Sequence, residues 1–171
     1  MSHILRSSKS LTLKAADAIA NNAILAVENL AKTKPICVTV LDSSGSVLVQ
    51  KRMDGCPAGA YLQFSYTKAQ TCINLETSTR HFRNKYLGGE AGPPQFTQVA
   101  SMVSVMAKDL IPIAGGVLVK TVQDGAVVGA VGVSGASADE DEYLALEGIK
   151  ASRMDEMLTT IPEDHSCKTL K

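Results

Sequence analysis

Tryptophan is absent from the 171 residues, and the other aromatics are sparse, at four Tyr and three Phe. No basic stripe interleaves with them, and 17 basic side chains balance 17 acidic ones, so nothing here supports a general nucleic-acid surface. No apolar run approaches the roughly 20 residues that span a bilayer. The opening MSHILRSSKS lacks a secretory apolar core, which leaves a cytosolic default. That opening is also basic and Ser-rich with no acid before Asp17, a composition compatible with a short organellar presequence. Cys37, Cys56, Cys72 and Cys167 form no CxxC pair, which argues against a zinc knuckle or a disulfide framework. Cys37 lies in a strand-like run and Cys72 in a helix-like run, where small buried thiols are common, whereas Cys56 in DGCP falls on a loop and reads as an accessible thiol.

With 45% hydrophobic residues the chain is long enough for one well-buried core. The expected division is a flexible N-terminus over residues 1–10, one α/β domain over 11–158 and a tail over 159–171, with no internal repeat or dividing linker. Ala16, Ile19, Ala20, Ala23, Val27 and Leu30 follow helical spacing behind Thr12 as a cap. ICVTVL and SVLVQKRM read as strands around Asp42-Ser43-Ser44-Gly45, whose side-chain oxygens and Gly suit a hairpin. A helix over about 60–75 is apolar on two sides. Tyr61, Phe64, Cys72 and Leu75 occupy one side and Leu62, Tyr66, Ala69 and Ile73 the other, so a sheet and a second body, such as a neighbouring subunit, are expected to flank it. Ser78 to Tyr86 reads as a short helix, GGEAGPPQ as a loop able to cover a pocket, and Phe96, Val99, Met102, Val103 and Met106 as one face of a further helix. LIPI over 110–113 reads as a short strand, which brings the count to five.

The most informative stretch is IAGGVLVKTVQDGAVVGAVGVSGASADEDE, from Ile113 to Glu142. Asp124-Gly125 between apolar runs predicts an antiparallel hairpin with a two-residue turn. Gly129, Gly132 and Gly135 leave little side chain on part of the second strand, so a helix, another backbone or a ligand is expected to approach closely. Ser137 and Glu140 have capping-box spacing, and Asp139, Asp141 and Glu142 add charge at the positive end of the helix dipole. A metal site is the sharper reading of those acids, but no His cluster accompanies them.

Arg52-Met53-Asp54-Gly55, Lys68-Ala69, Ala114-Gly115-Gly116-Val117 and the run from Gly129 to Gly135 together resemble the GlcG/HbpS-like family, the haem-degrading domain family. GGVLV, VGAVGVSG and the acidic ASADEDE carry the most specific part of the likeness, which covers roughly 11–151. The resemblance implies a profilin-like α/β fold, here with a five-stranded antiparallel sheet flanked by helices, and assembly into homo-oligomers. A related domain closes the PduO-type corrinoid adenosyltransferases, so the implied ligand is haem or a related tetrapyrrole. One class of members is secreted and acts as a haem-binding redox sensor. This chain departs from it in having no evident signal peptide.

Residue by residue, the resemblance carries over Arg52, Asp54 and Lys68, with Gly115, Gly116 and Ser134, as the surroundings of a polar small-molecule pocket. A structural ion pair is the competing reading of the charged three. Haem needs an apolar slot, partners for its propionates and usually an axial ligand. His3 and His165 fall in the expected tails, which leaves His81, with Arg80, Arg83 and Lys85 as propionate partners and Tyr86 as an alternative oxygen ligand. The competing reading makes His81, Arg80, Arg83 and Lys85 a solvated helix face. A dinucleotide loop is excluded because the glycines lie within and just after a strand, and Gly132-Val133-Ser134-Gly135 is one residue short of a hydrolase elbow. Three function classes remain: a haem or tetrapyrrole binder with slow haem breakdown, an enzyme acting on small hydroxy acids, and an oligomeric protein-interaction module.

Overall fold

The computed structural model describes residues 8–30, 34–88, 93–107, 109–152, 154 and 157–159. His3, His165, Cys167, residues 89–92 of the Gly- and Pro-rich loop and nearly all of the expected tail lie outside them. Helix α1 (Leu13–Leu25) begins where Thr12 Oγ1 accepts from Ala15 N at 3.2 Å, as its position before the periodic run predicts. A single 3-10 turn follows over Ala26–Asn29. Strands β1 (Cys37–Asp42) and β2 (Val47–Arg52) form the first hairpin. The Asp42 carboxylate accepts from the amides of Ser44 and Ser46 at 2.8 and 2.9 Å, and Gly45 takes the positive φ of +86° that the turn needs. Helix α2 (Ala58–Leu75) crosses the sheet, and α3 (Thr79–Leu87) starts at a Ser78 cap. Helix α4 (Phe96–Met106) precedes strands β3 (Gly116–Thr121) and β4 (Val127–Ser134). Helix α5 (Ala138–Ala151) opens with the expected capping box between Ser137 and Glu140.

Four antiparallel strands in the order β2-β1-β4-β3 make the body of the sheet. The expected strand at 110–113 does not form. Pro112 has no amide to give a ladder, Ile111 N donates instead to Thr71 Oγ1 of α2 at 2.9 Å, and Leu110 is buried with Phe82 and Val99. The three-residue β5 (Met157–Thr159), which the sequence pattern did not reveal, pairs with the outer edge of β3. The β3–β4 hairpin is antiparallel as expected, but its connection is five residues, 122–126, rather than two. Thr121 N bonds Ala126 O, and Gly125 alone takes positive φ, at +66°. Asp124 is held in the ordinary region because its carboxylate accepts from the Thr121 hydroxyl and from Ala126 N.

Strand alternation sends Val38, Val40, Val117, Val119, Val131 and Val133 to one face, where Ala16, Ile19, Ala20 and Ala23 of α1 and Leu144, Ala145 and Ile149 of α5 complete an aliphatic core. The opposite face offers Leu41, Leu118 and Ala130 to Ala69 and Cys72 of α2. Here the expected orientation of α2 is corrected: its buried stripe is Ser65, Lys68, Ala69, Thr71 and Cys72, while Phe64 turns outward and Tyr61 is half-buried. The cause is closeness. A Cβ at Gly132 would stand 2.0 Å from Ser65 O and 2.7 Å from Ala69 N, so only small or extended side chains fit between the α2 backbone and β4. Bulky aromatic residues are displaced to the flanks.

Gly132→Ala should therefore cost at or above the upper end of the roughly 1–3 kcal/mol typical of overpacking, because the clash is with backbone. Gly59→Ala, in the first turn of α2 with nothing within 4 Å of the added carbon, should be neutral or stabilising by up to ~1 kcal/mol. Urea denaturation of the two variants checks both values; equal midpoints would contradict the close approach.

Candidate functional site

Two cations hold three carboxylates where α2, α3 and the start of α5 converge. Lys68 projects from α2 past Gly115, whose added Cβ would lie 2.8 Å from the ammonium, and donates to Val133 O at 2.9 Å and Asp141 Oδ2 at 2.7 Å. Both side chains are only 3% exposed. The other Asp141 oxygen accepts from Ala136 N at 3.0 Å, so this carboxylate also ties down the turn before α5. Burial pushes the Asp141 carboxyl up and the Lys68 ammonium down, and each is held charged by the other. Next to them Arg80 Nε donates to Glu142 Oε2 at 2.6 Å and its terminal nitrogen to Asp139. Gly116 is fixed on this side too, its N–H donating to Thr79 Oγ1 at 2.9 Å.

The residues expected around a polar pocket thus separate into two groups. Lys68, Gly115, Gly116 and Ser134 come together as packed interior, with Ser134 buried at the end of β4. Arg52 and Asp54 remain exposed at the sheet edge, where Arg52 Nη1 donates to Cys56 O at 2.6 Å. Lys68 pairs with Asp141 instead of Asp54, a contact that spans 73 positions and crosses from α2 to α5.

The expectation that Arg80 is solvated is likewise corrected: it is 6% exposed because the carboxylates of α5 draw it inward. Sequence reasoning singled out those acids as helix-dipole charge or metal ligands and missed their pairing with Lys68 and Arg80. The signal was present: the capping box uses one carboxylate, Glu140, while Asp141 and Glu142 open a helix whose later turns are apolar and must face inward. Buried acids require cations, and Lys68 and Arg80 supply them. No group of three His, Cys, Asp or Glu is placed to hold a metal ion among the described residues.

The opposite side of α3 is open. His81 and Lys85, one turn apart, line a 280 Å³ cleft with Leu75, Thr77, Phe82, Tyr86 and Met102. Phe82 and Tyr86 meet edge to face with ring centroids 5.4 Å apart, and Lys85 Nζ lies 5.3 Å from the Tyr86 centroid. Arg83 is exposed and is not among the lining residues. A larger cavity of 520 Å³ lies between the start of α1, β3, β4 and Met154, bordered by Lys9, Lys14 and Met157. It contains none of the expected site residues.

The sequence from residue 11 to residue 150 matches the family described as haem degrading protein HbpS-like. The chain belongs to this HbpS-like family. Among solved structures, a double mutant of Streptomyces reticuli HbpS is 28% identical, with 88% of this chain and 92% of that one covered and a TM-score of 0.68. Klebsiella pneumoniae protein ORFY shares the fold at a TM-score of 0.74 and 22% identity, covering 90% and 98% of the two chains. A PduOC:heme complex shares it at 0.68 and 21%, covering 83% and 94%. No curated protein gives a significant sequence match.

In this HbpS-like chain the buried pairs have a measurable role. Lys68→Met leaves Asp141 buried without its cation and should cost about 3–5 kcal/mol, whereas adding Asp141→Leu should recover part of that loss. The sign with pH follows from the burial-raised carboxyl. In Lys68→Met, folding favours protonated Asp141, so the deficit is smallest in acid and grows as pH rises through the folded pKa. Denaturation midpoints from pH 4 upward check this; a deficit independent of pH would contradict it.

Proposed function

We propose that this protein binds haem at the α3–α4 cleft, with His81 as the iron ligand. The observation that carries the reading is an exposed imidazole standing beside a cation in a cleft whose other walls are Leu75, Phe82, Tyr86 and Met102. The donor set fits the group: a neutral imidazole can ligate iron, an ammonium can meet a propionate, and aromatic and thioether groups can pack on the ring. Lys85 takes the propionate role by virtue of lining the cleft, with Arg83 reserved for a propionate that reaches solvent. Tyr86 offers a second oxygen donor. When bound, haem would supply redox-active iron, and an open site of this kind would permit only slow haem breakdown in the presence of oxygen and a reductant.

At 280 Å³ the cleft lies just below the roughly 300–1,000 Å³ usual for a small-molecule site, so one chain would cover an edge of the macrocycle. A second copy is the natural cover for the rest. Phe96 and Val105 of α4 are 68% and 82% exposed, and Phe64 of α2 is also exposed, which supports assembly through these helices. Membership of the HbpS-like family and the haem bound by the structurally similar PduOC support the ligand class.

Hemin titration of the full-length protein, followed at the Soret band, should saturate at a fixed ratio of haem to chain. His81→Ala should weaken binding at least tenfold and shift the band, Lys85→Ala should weaken it less without a shift, and light scattering should give a mass above 18.0 kDa. A spectrum unaffected by His81→Ala would move the iron elsewhere, and one matching hemin on an unrelated protein would reject the reading.

A further inference from the structure

We propose that Cys37 and Cys56 are a redox modification site, converted by a peroxide into an intramolecular disulfide. Their Sγ atoms are 3.5 Å apart, and both residues are buried, which corrects the expectation of an accessible loop thiol at Cys56. The contact is built by the end of the sheet. Cys37 begins β1 opposite Arg52, the last residue of β2. The chain then folds back: Met53 N bonds Ile36 O at 2.9 Å, and Cys56 N bonds Met53 O at 3.1 Å around Gly55 at φ +79°. Arg52 Nη1 holds Cys56 O at 2.6 Å. These bonds set Cys56 against Cys37 from a loop whose other residues, Asp54, Gly55 and Pro57, are exposed.

Disulfide formation requires the sulfurs to close to about 2.05 Å, an approach of about 1.5 Å shared between two side chains and a short loop. The chemistry assigns an order. Burial, reinforced by Cys56, pushes the Cys37 thiol up to about 12, so Cys37 stays protonated at rest. Cys56, on the loop, meets the oxidant first. Its sulfur attacks one peroxide oxygen, the O–O bond breaks, and a water leaves a sulfenic acid behind. Cys37 sulfur then attacks the sulfenic sulfur; the S–O bond breaks, and hydroxide departs with the Cys37 proton as a second water. Two thiols and one hydrogen peroxide thus give one disulfide and two waters. Because the pair is buried, the rate follows opening of the loop, and the reaction is slower than at an exposed thiolate.

The test uses the full-length chain with Cys167→Ser, treated with hydrogen peroxide or dithiothreitol, alkylated and digested with trypsin. Lys51 and Arg52 lie between the two cysteines, so after cleavage only a disulfide joins their peptides. The expected result is a linked Cys37–Cys56 pair, about 2 Da lighter than the sum of its parts and separated by dithiothreitol. Reactive thiols in the denatured protein should fall from three, Cys37, Cys56 and Cys72, to Cys72 alone. The oxidised protein should melt about 5–10 °C higher, since the cross-link restrains the unfolded chain. Cys56→Ser should leave Cys37 unoxidised. Unchanged thiols, linkage through Cys72, or Cys56 sulfinic acid without a linked peptide would each overturn the proposal, and the wild-type peptide map decides even if a variant fails to fold.

Discussion

The rest of the structure depends on how closely α2 lies on the sheet. Missing side chains at Gly116 and Gly132 let helix backbone touch strand backbone, so that a Cβ at Gly116 would fall 2.4 Å from Lys68 O. At that distance the helix cannot bury large side chains beneath itself. It buries a hydroxyl at Ser65, which bonds Thr39 at 2.8 Å, and it brings the Lys68 ammonium within reach of β4 and α5. The glycines therefore act through what they admit: a polar, hydrogen-bonded seam where an aliphatic layer would otherwise stand.

That seam transmits position from the sheet to the helix that bears the candidate site. Lys68 fixes Asp141 at the start of α5, the following residue Glu142 holds Arg80, and Arg80 fixes the inner side of α3. His81, the next residue along α3, then faces outward. Buried ion pairs contribute little net stability compared with apolar packing, but breaking one is costly, and this asymmetry suits a device that specifies orientation. A helix of nine residues would be a poor anchor for a ligand-binding imidazole without such a restraint.

Local signals in the sequence identified most of the fold. Thr12 and Ser137 announced two helix starts because capping is decided within four residues, and Asp42 and Gly45 announced a hairpin for the same reason. Close approach to β4 was also legible, since Gly129 and Gly132 leave the strand with little side chain there. What failed was non-local. LIPI has strand composition, but Pro112 has no amide to give and that of Ile111 is claimed by Thr71 forty residues away. Arg80 looks solvated beside Arg83 and Lys85 until α5 arrives with carboxylates from beyond residue 138. Cys56 reads as exposed because its loop is exposed, and only the fold-back over β1 buries the thiol. Of the residues expected around haem, His81 and Tyr86 share the cleft and Arg83 is not among its lining residues, while Met102 and Leu75 come from other helices that local spacing could not bring to it.

Aromatic scarcity returns here with a positive meaning. Six of the seven aromatic residues, Tyr61, Phe64, Tyr66, Phe82, Tyr86 and Phe96, fall between residues 61 and 96, and only Tyr143 lies elsewhere. The larger core, under α1 and α5, is aliphatic throughout its buried residues and consumes none of the six, while the smaller core under α2 takes only Tyr66 at its border. Phe82 alone among them is fully buried, and it forms the wall that Tyr86 meets edge to face. A flat apolar ligand gains most from ring contacts, and this chain offers them on α2, α3 and the start of α4. The same helices expose Phe64, Phe96 and Val105, so the surface suited to a macrocycle is continuous in character with the surface suited to a second copy. Under the proposed haem binding, ligand and second copy would both draw on α2, α3 and α4, and a cleft covering only an edge of the ring would be the reason the two are coupled.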